Sequence, residues 1–185
     1  MPTTNRSSSA TSKSSETRSA NKARDEAIAM LKEDHKRVKK AFKEFEKLED
    51  SEDQQVRQAL VERTCAELTI HAMLEEEIFY PAARNGVKEE DLIEEAEVEH
   101  ASAKQLIEQL KQMEPDDPKY AATFTVLGEY VEHHVKEEEN EMFPQVSKSK
   151  EIEWESICEQ MTARRTELME QMLPAEDGEE TKGSH

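Results

Sequence analysis

The chain has 185 residues and a formal net charge of −18, with 43 acidic and 25 basic side chains. This length is near the usual size of a single domain and is enough to bury a core. So acidic a protein is not expected to bind nucleic acid, because a phosphate backbone requires a basic surface. The sequence shows no apolar run of the roughly 18 residues that a membrane span needs, and no secretory signal. Cys65 and Cys158 form no CxxC motif or disulfide framework. We therefore expect a cytoplasmic protein that binds neither nucleic acid nor membranes.

Both ends of the sequence are polar. Residues 1–20 contain eleven Ser or Thr and a single acid, and residues 174–185 are acidic with little to bury. We predict a disordered Ser/Thr-rich tail over residues 1–22 and a disordered acidic tail over residues 174–185. The Arg- and Ser-rich start is also compatible with an organellar transit segment, although it lacks an alternating apolar face.

The first half of the remaining sequence predicts two long helices. The first runs from about Ala23 to Leu48, with apolar residues at three- and four-residue spacing and His35 among them. A capping-box pattern at Ser51 starts the second helix. Pro81 predicts a kink near its end, and Asn85-Gly86 predicts a left-handed stop. The stripe of the second helix is Val61, Thr64, Leu68, His71, Glu75, Ile78 and Ala82.

The second half repeats this pattern. A third helix from about Glu89 to Met113 carries His100 on its apolar face, and a fourth follows Asp117-Pro118. A last amphipathic helix covers about Lys150 to Met172. Because the connections are short, neighbouring helices should run antiparallel. We predict an all-α protein with an up-down-up-down four-helix bundle over residues 23–148 and a C-terminal helix packed on it over residues 149–173.

A histidine is twice followed four residues later by a glutamate and ten residues later by a proline. The first set is His71, Glu75 and Pro81, and the second is His134, Glu138 and Pro144. A lone histidine precedes each set by similar intervals, 36 residues from His35 to His71 and 34 from His100 to His134. The chain therefore contains two copies of a helical hairpin, each of which offers two histidines and one glutamate.

These repeated residues all fall on apolar stripes, so they should point into the bundle. Two buried carboxylates would cost several kcal/mol without a compensating cation or proton. A pair of metal ions supplies such cations. The predicted metal site consists of His35, His71, Glu75, His100, His134 and Glu138.

Two neighbouring patterns offer alternatives. His133 lies four residues before Glu137, but this pairing would break the repeat distance to Pro144, so His134 is preferred. Glu97 precedes His100 by three residues, as in ferritin-like sites, but that order occurs only once. The remaining glutamates of the two acidic runs around Glu75 and Glu138 read as solvated helix surface.

With these residues in place, the sequence resembles the hemerythrin-like (HHE cation-binding) family from about Arg24 to Ser147. The matching elements are Asp34-His35, the His71–Glu75 pair, Glu99-His100 and the His134–Glu138 pair, in the family's order and spacing. The resemblance implies two non-haem iron ions joined by an oxo or hydroxo bridge. The four histidines would be terminal ligands, and the two glutamates would be bridging carboxylates. Mixed imidazole and carboxylate ligands suit iron or manganese better than the thiolate-rich closed sites of structural zinc. Together with the resemblance this favours iron, and manganese or zinc is the less expected metal.

Two departures from the classical oxygen carriers bear on function. Their fifth histidine ligand corresponds to Lys104, and their final carboxylate is an aspartate at a larger spacing than that of Glu138. The four histidines, the two bridging glutamates and one oxygen bridge would fill about ten of the roughly twelve coordination positions of two six-coordinate irons. Glu97 could fill one of the two that stay open.

Three functional classes follow from an iron pair with open positions. The first is a binder or sensor of dioxygen, and the second is an enzyme-like protein that consumes peroxide or nitric oxide under oxidative stress. The third is a helical interaction module with a structural or storage metal and no redox turnover. The sequence does not identify a protein partner. Tyr80, Tyr120 or Tyr130 could donate a hydrogen bond or be oxidised, but a tyrosine in a bundle is usually a packing residue, so none is placed among the site residues.

Overall fold

The first long helix begins well before its predicted start. In the computed structural model, which describes residues 9–48, 54–88 and 91–173, helix α1 spans Ser9–Lys47. The sequence predicts a disordered tail over residues 1–22, whereas residues 9–22 continue the helix; residues 1–8 lie outside the described part. Residues 15–19 are exposed. Helix formation is cooperative, so a helix that packing has already nucleated can continue through Ser- and Thr-rich turns although these residues are only moderate helix formers, which explains the difference.

The other elements follow the predicted order. Ser51 and residues 174–185 lie outside the described residues, which contain no strand. The all-α fold with an additional C-terminal helix is confirmed, and that helix packs against α1 and α2. The elements are α2 (Gln54–Leu74), a π-helical turn π1 (Glu75–Phe79), α3 (Tyr80–Ala83), α4 (Asp91–Gln112), α5 (Tyr120–Glu137), a second π-helical turn π2 (Glu138–Met142), α6 (Phe143–Val146) and α7 (Trp154–Met172).

Each π turn begins at one of the repeated glutamates and ends two residues before a proline. Glu75 and Glu138 open the turns, and each accepts a hydrogen bond from the backbone N–H five residues later. Pro81 and Pro144 cannot donate a backbone hydrogen bond, and their rings crowd the carbonyl four residues back. A wider turn before each proline relieves that crowding.

The first π turn moves the buried face of the second long helix by one residue. Regular α-helical spacing predicts Ile78 and Ala82 on the inner face after Glu75, but both are only partly buried. Phe79 and Ala83 are buried instead, with 1% and 0% exposure. The prediction was wrong at these positions because a π turn holds one more residue than an α turn.

Gly86 follows the end of this helix but does not adopt the predicted left-handed conformation. No glycine in the described ranges has a positive φ angle, so the left-handed stop is absent there. A Cβ atom at Gly86 would lie 2.8 Å from Cδ1 of Ile152 and 3.0 Å from Cβ of Ser149. Glycine is therefore used here for close packing rather than for backbone conformation.

None of the described helices is long and apolar enough to cross a membrane.

The core lies on both sides of the repeated histidines. One large apolar cluster includes Leu31, Phe79, Tyr80, Ile93, Met142, Phe143, Trp154 and Met161. The other includes Val38, Phe45, Val61, Leu68, Ile107, Phe124, Leu127 and Val131. The polar site is held between these two clusters.

Candidate metal centre

The fold brings all six predicted ligand residues together in the interior of the bundle. Each long helix of the bundle contributes a histidine, and the two π turns contribute the glutamates. All six are buried. Their exposed fractions are 1% for His35, 5% for His71, 0% for Glu75, 5% for His100, 6% for His134 and 1% for Glu138.

The histidines form two pairs that meet through their Nε2 atoms. The Nε2 atoms of His35 and His71 lie 3.2 Å apart, and those of His100 and His134 lie 3.1 Å apart. Ligand atoms bonded to one ion at about 2.0–2.2 Å are separated by roughly 3.0–3.4 Å. Each pair therefore has the separation expected of two ligands on one metal ion.

The two glutamates lie between the histidine pairs. Oε2 of Glu75 is 3.1 Å from Nε2 of His71 and 3.3 Å from Nε2 of His100. Oε2 of Glu138 is 3.3 Å from Nε2 of His35 and 3.5 Å from Nε2 of His134. Each carboxylate thus faces one histidine of each pair, so either glutamate could contribute an oxygen ligand to both halves of the site.

A second group of carboxylates surrounds the histidines, and we call it the outer ring. Its members accept hydrogen bonds from the Nδ1 atoms, and the sequence interpretation missed them. The contacts are Glu139 with His35 at 2.8 Å, Asp34 with His71 at 3.4 Å, Glu76 with His100 at 3.0 Å and Glu99 with His134 at 2.9 Å.

A signal for the outer ring exists in the sequence. Each of its carboxylates directly precedes or follows one of the predicted ligands, but hydrogen bonds to a histidine on another helix. Asp34, for example, precedes His35 and contacts His71. One residue along a helix rotates the side chain by about 100° and so turns it toward the adjacent helix. The acidic runs were interpreted as solvated surface, yet Glu76 and Glu139 belong to the site.

The outer ring determines which nitrogen of each histidine faces inward. A neutral imidazole that donates its Nδ1 hydrogen to a carboxylate presents an unprotonated Nε2. The lone pairs of the four Nε2 atoms and the two carboxylates then converge, and none of these six groups offers a hydrogen-bond donor to the others. Oε1 of Glu75 and Oε2 of Glu138 are buried without a hydrogen-bond partner. This donor set fits two cations.

Protons take the place of cations in the metal-free protein. Burial disfavours the charged form of His71, but the carboxylates of Glu75 and Asp34 outweigh it and raise its pKa to about 10. Burial likewise opposes charge on His100, yet hydrogen bonds to Glu75 and Glu76 raise its pKa to about 9. The same contacts hold the pKa of Glu75 well below its usual value, although burial opposes this. Metal ions must therefore displace protons from this site.

Tyr80 belongs to the site, contrary to its interpretation as a packing residue. Its side chain is fully buried, and its hydroxyl lies 3.1 Å from Oε1 of Glu138 and 3.4 Å from Oε2 of Glu75. Burial and the two carboxylates raise the pKa of Tyr80 well above its ordinary value, so the hydroxyl stays a donor. The repeat places Phe143 at the equivalent position, directly before Pro144.

The neighbouring candidates lie outside the inner site. His133 is on the surface, where its Nε2 is 3.4 Å from both Glu99 and Glu137. Glu97 is exposed and pairs with Arg84 at 2.8 Å, so it does not supply a further inner ligand. Lys104, at the classical fifth-histidine position, binds Glu76 at 2.6 Å and so supports the outer ring.

A small cavity of about 40 Å³ adjoins the four histidines. Its apolar lining includes Val38, Leu68, Ile107, Val131 and Val135, and it reaches Tyr130, which is 47% exposed. A water-sized molecule needs roughly 10–15 Å³ of such volume. The cavity therefore has room for a molecule of two or three heavy atoms, but not for an organic substrate.

Comparison with known proteins gives three matches. Residues 26–146 match the model of the hemerythrin HHE cation-binding domain. The chain is 33% identical over 114 residues to a DNA nickase of Nostoc sp. (strain PCC 7120), and this match covers 62% of the chain but only 31% of that protein. A hemerythrin HHE cation-binding domain-containing protein from Mycobacterium kansasii has a similar crystal structure, with a TM-score of 0.57 and 24% identity, covering 82% of this chain and 87% of that one. The structural likeness shows a shared fold.

Proposed function

This chain belongs to the hemerythrin HHE cation-binding domain family, and we propose that it is a non-haem di-iron protein that binds or reacts with dioxygen, peroxide or nitric oxide. One observation carries the proposal: two histidine pairs face two buried glutamates, each of which lies between the pairs. That arrangement supports two ions rather than one.

The choice of iron rests on the ligand types together with the resemblance to the hemerythrin-like family. Imidazole and carboxylate ligands without thiolate suit iron, whereas closed structural zinc sites are rich in cysteine. Two bridged iron ions would supply reversible one-electron redox chemistry. The protein itself would orient the imidazoles through the outer ring and exclude bulk water with the two apolar clusters. The hydroxyl of Tyr80 would serve as a hydrogen-bond donor beside the glutamates.

The size and lining of the cavity beside the histidines limit which ligands can reach the site. The cavity touches all four histidines, and its volume of about 40 Å³ admits only a very small molecule. Its mainly apolar lining favours a neutral, weakly hydrated molecule over an ion. DNA nicking, the activity in the Nostoc relative's name, is not part of the proposal, because the chain spans about a third of that protein and carries a charge of −18.

The decisive experiment measures iron content and reactivity together. The protein is reduced without air, loaded with ferrous iron, and exposed in turn to dioxygen, peroxide and nitric oxide while its visible spectrum is recorded. We expect about two irons per chain, a spectral change with at least one of the three, and loss of both in a His71→Ala, His134→Ala variant. His133→Ala is the matched control, because His133 lies on the surface one residue from a ligand.

The results separate the remaining classes. Spectral changes that reverse when the gas is removed indicate a binder or sensor, whereas sustained peroxide or nitric oxide consumption indicates an enzyme. If two irons bind but none of the three compounds changes the spectrum, the proposal fails and a structural or storage metal site takes its place. If wild type binds no more iron than the double variant, the metal centre itself is rejected.

A further inference from the structure

Helix α7 lies beyond the residues that match the family model, yet one of its side chains reaches the metal centre. Nη1 of Arg165 donates to Oδ2 of Asp34 at 2.9 Å, and Nη2 of the same guanidinium donates to Oδ1. Asp34 is 4% exposed and lies on α1. This two-point contact fixes the plane of the carboxylate as well as its position.

The carboxylate of Asp34 in turn contacts a predicted ligand. Its Oδ2, which accepts from Nη1 of Arg165, lies 3.4 Å from Nδ1 of His71. Arg37, one turn further along α1, also donates to Asp34 from the more exposed side. The orientation of His71 therefore depends on a residue outside the four-helix bundle.

The other half of the site is supported differently. Lys104, whose side chain is 43% exposed, donates to both oxygens of Glu76, and Glu76 contacts His100. This cation lies nearer the solvent than Arg165, whose side chain is 18% exposed.

Glu99 takes the place of Asp34 in the second repeat and contacts His134, but its side chain is 18% exposed against 5% for Asp34. The other side chain beside Glu99 is the exposed imidazole of His133 at 3.4 Å rather than a guanidinium. The two histidine pairs are thus similar in their inner geometry and different in what holds them.

We propose that Arg165 is a positioning residue for the metal held by His35 and His71. By fixing Asp34, helix α7 fixes the direction in which His71 points its Nε2. The inference rests on the proposed metal centre, but not on any reaction with an oxidant. Loss of a group that orients a metal-bound histidine lowers metal affinity by about 10–100-fold in known sites.

Cobalt(II) titration of the full-length, metal-free protein tests this inference. The visible bands of bound cobalt report the ligand arrangement, and competition with a chelator gives the affinity of each equivalent. For Arg165→Met we expect about tenfold weaker binding of one equivalent with shifted bands, while the other equivalent is unchanged. Arg165→Lys keeps the charge but loses the two-point contact, and it should fall between Arg165→Met and wild type.

Arg164→Met is the matched control, because Arg164 is the preceding residue of α7 and makes a comparable two-point contact with Glu77, which touches no histidine. It should leave both cobalt equivalents unchanged. The inference is overturned if Arg165→Met and Arg165→Lys behave like Arg164→Met, or if they weaken both equivalents equally in step with thermal stability. Should Arg165→Met not fold, Arg165→Lys decides alone.

Failure of this inference can be told apart from failure of the proposed function. A wild-type protein that binds two cobalt ions, but whose iron form reacts with no oxidant, leaves the inference standing and removes the proposed reactivity. A wild-type protein that binds no cobalt removes both.

Discussion

The hydroxyl of Tyr80 lies 3.1 Å from Oε1 of Glu138, on the opposite half of the repeat. The matching residue of the second half is Phe143, which has no hydroxyl. The inner site is therefore asymmetric, with a hydrogen-bond donor beside the glutamates on one side only.

Tyr80→Phe tests whether this hydroxyl stabilises the glutamates or binds metal. In the metal-free protein, its loss leaves a buried carboxylate oxygen without its donor, which should lower the free energy of unfolding by about 1.5–3 kcal/mol. With metal bound, the ions compensate the carboxylate, and we expect a smaller loss. Urea unfolding with and without metal measures both values. Tyr130→Phe, at a 47% exposed position, should change neither. A larger loss in the metal-loaded form would instead indicate that Tyr80 is itself a ligand.

Metal uptake should release protons. At pH 7 the metal-free protein carries a proton on both His71 and His100, whose pKa values are raised to about 10 and 9. Metal ions bind the unprotonated ring, so loading both ions at pH 7 should release about two protons. Release should fall toward zero as the pH rises past 10.

Calorimetric titration in buffers of different ionisation enthalpy counts these protons. His133→Ala should release the same number as wild type, because its ring lies outside the inner site. Uptake of metal at pH 7 without proton release would contradict the charge state argued for the metal-free site.

The stability of the metal-free protein should depend on pH in a defined direction. The pKa values of His71 and His100 are above the ordinary value of 6.5, so their stabilisation is complete below pH 6.5 and is lost as the pH rises through 9 and 10. The pKa of Glu75 is below its ordinary 4.5, so its stabilisation is present above pH 4.5 and is lost at lower pH. We expect maximal thermal stability of the metal-free form between pH 4.5 and 6.5. A melting temperature that rises steadily from pH 6.5 to 10 would refute this.

The outer ring should tune metal affinity without touching metal. Glu99→Gln keeps the size of the side chain that contacts Nδ1 of His134 at 2.9 Å, but it removes the negative charge. We expect about tenfold weaker binding of one of the two metal ions. Chelator competition measures this, and Glu137→Gln, beside His133 on the surface, should have no effect. Equal effects of the two variants would assign the change to surface charge alone.

Gly128 is predicted to be a packing glycine. A Cβ atom there would lie 2.9 Å from Cδ1 of Phe42, whose ring packs against Phe124 at 4.7 Å between ring centroids. Alanine gains about 1 kcal/mol of helix propensity, but overpacking costs about 1–3 kcal/mol. We therefore expect Gly128→Ala to lower the free energy of unfolding slightly, by up to about 2 kcal/mol.

A second substitution checks that cause. Phe42→Leu shortens the obstructing side chain, so Gly128→Ala should become stabilising in that background, as denaturant unfolding of the four variants would show. If Gly128→Ala has the same effect in both backgrounds, contact with Phe42 is not the cause.

The sequence by itself determined the helical class, the family and the six inner residues. This was possible because the inner residues repeat at helical spacing, and a spacing such as that of His71 and Glu75 is a property of one helix. The family match and the all-helical structure confirm the class and the family, and the fold brings the six residues together.

Tertiary structure alone decided what surrounds those residues. The adjacency of Asp34 to His35 marks it as a neighbour of the site, but only the packing of the helices shows that it contacts His71. Arg165 reaches Asp34 from 131 residues away, so no local spacing reveals that contact. The burial of Tyr80 and Phe79 likewise follows from a π turn whose extra residue shifts the inner face, which regular periodicity does not predict. Contacts between helices depend on how the helices are rotated and packed, and that information is spread over the whole chain.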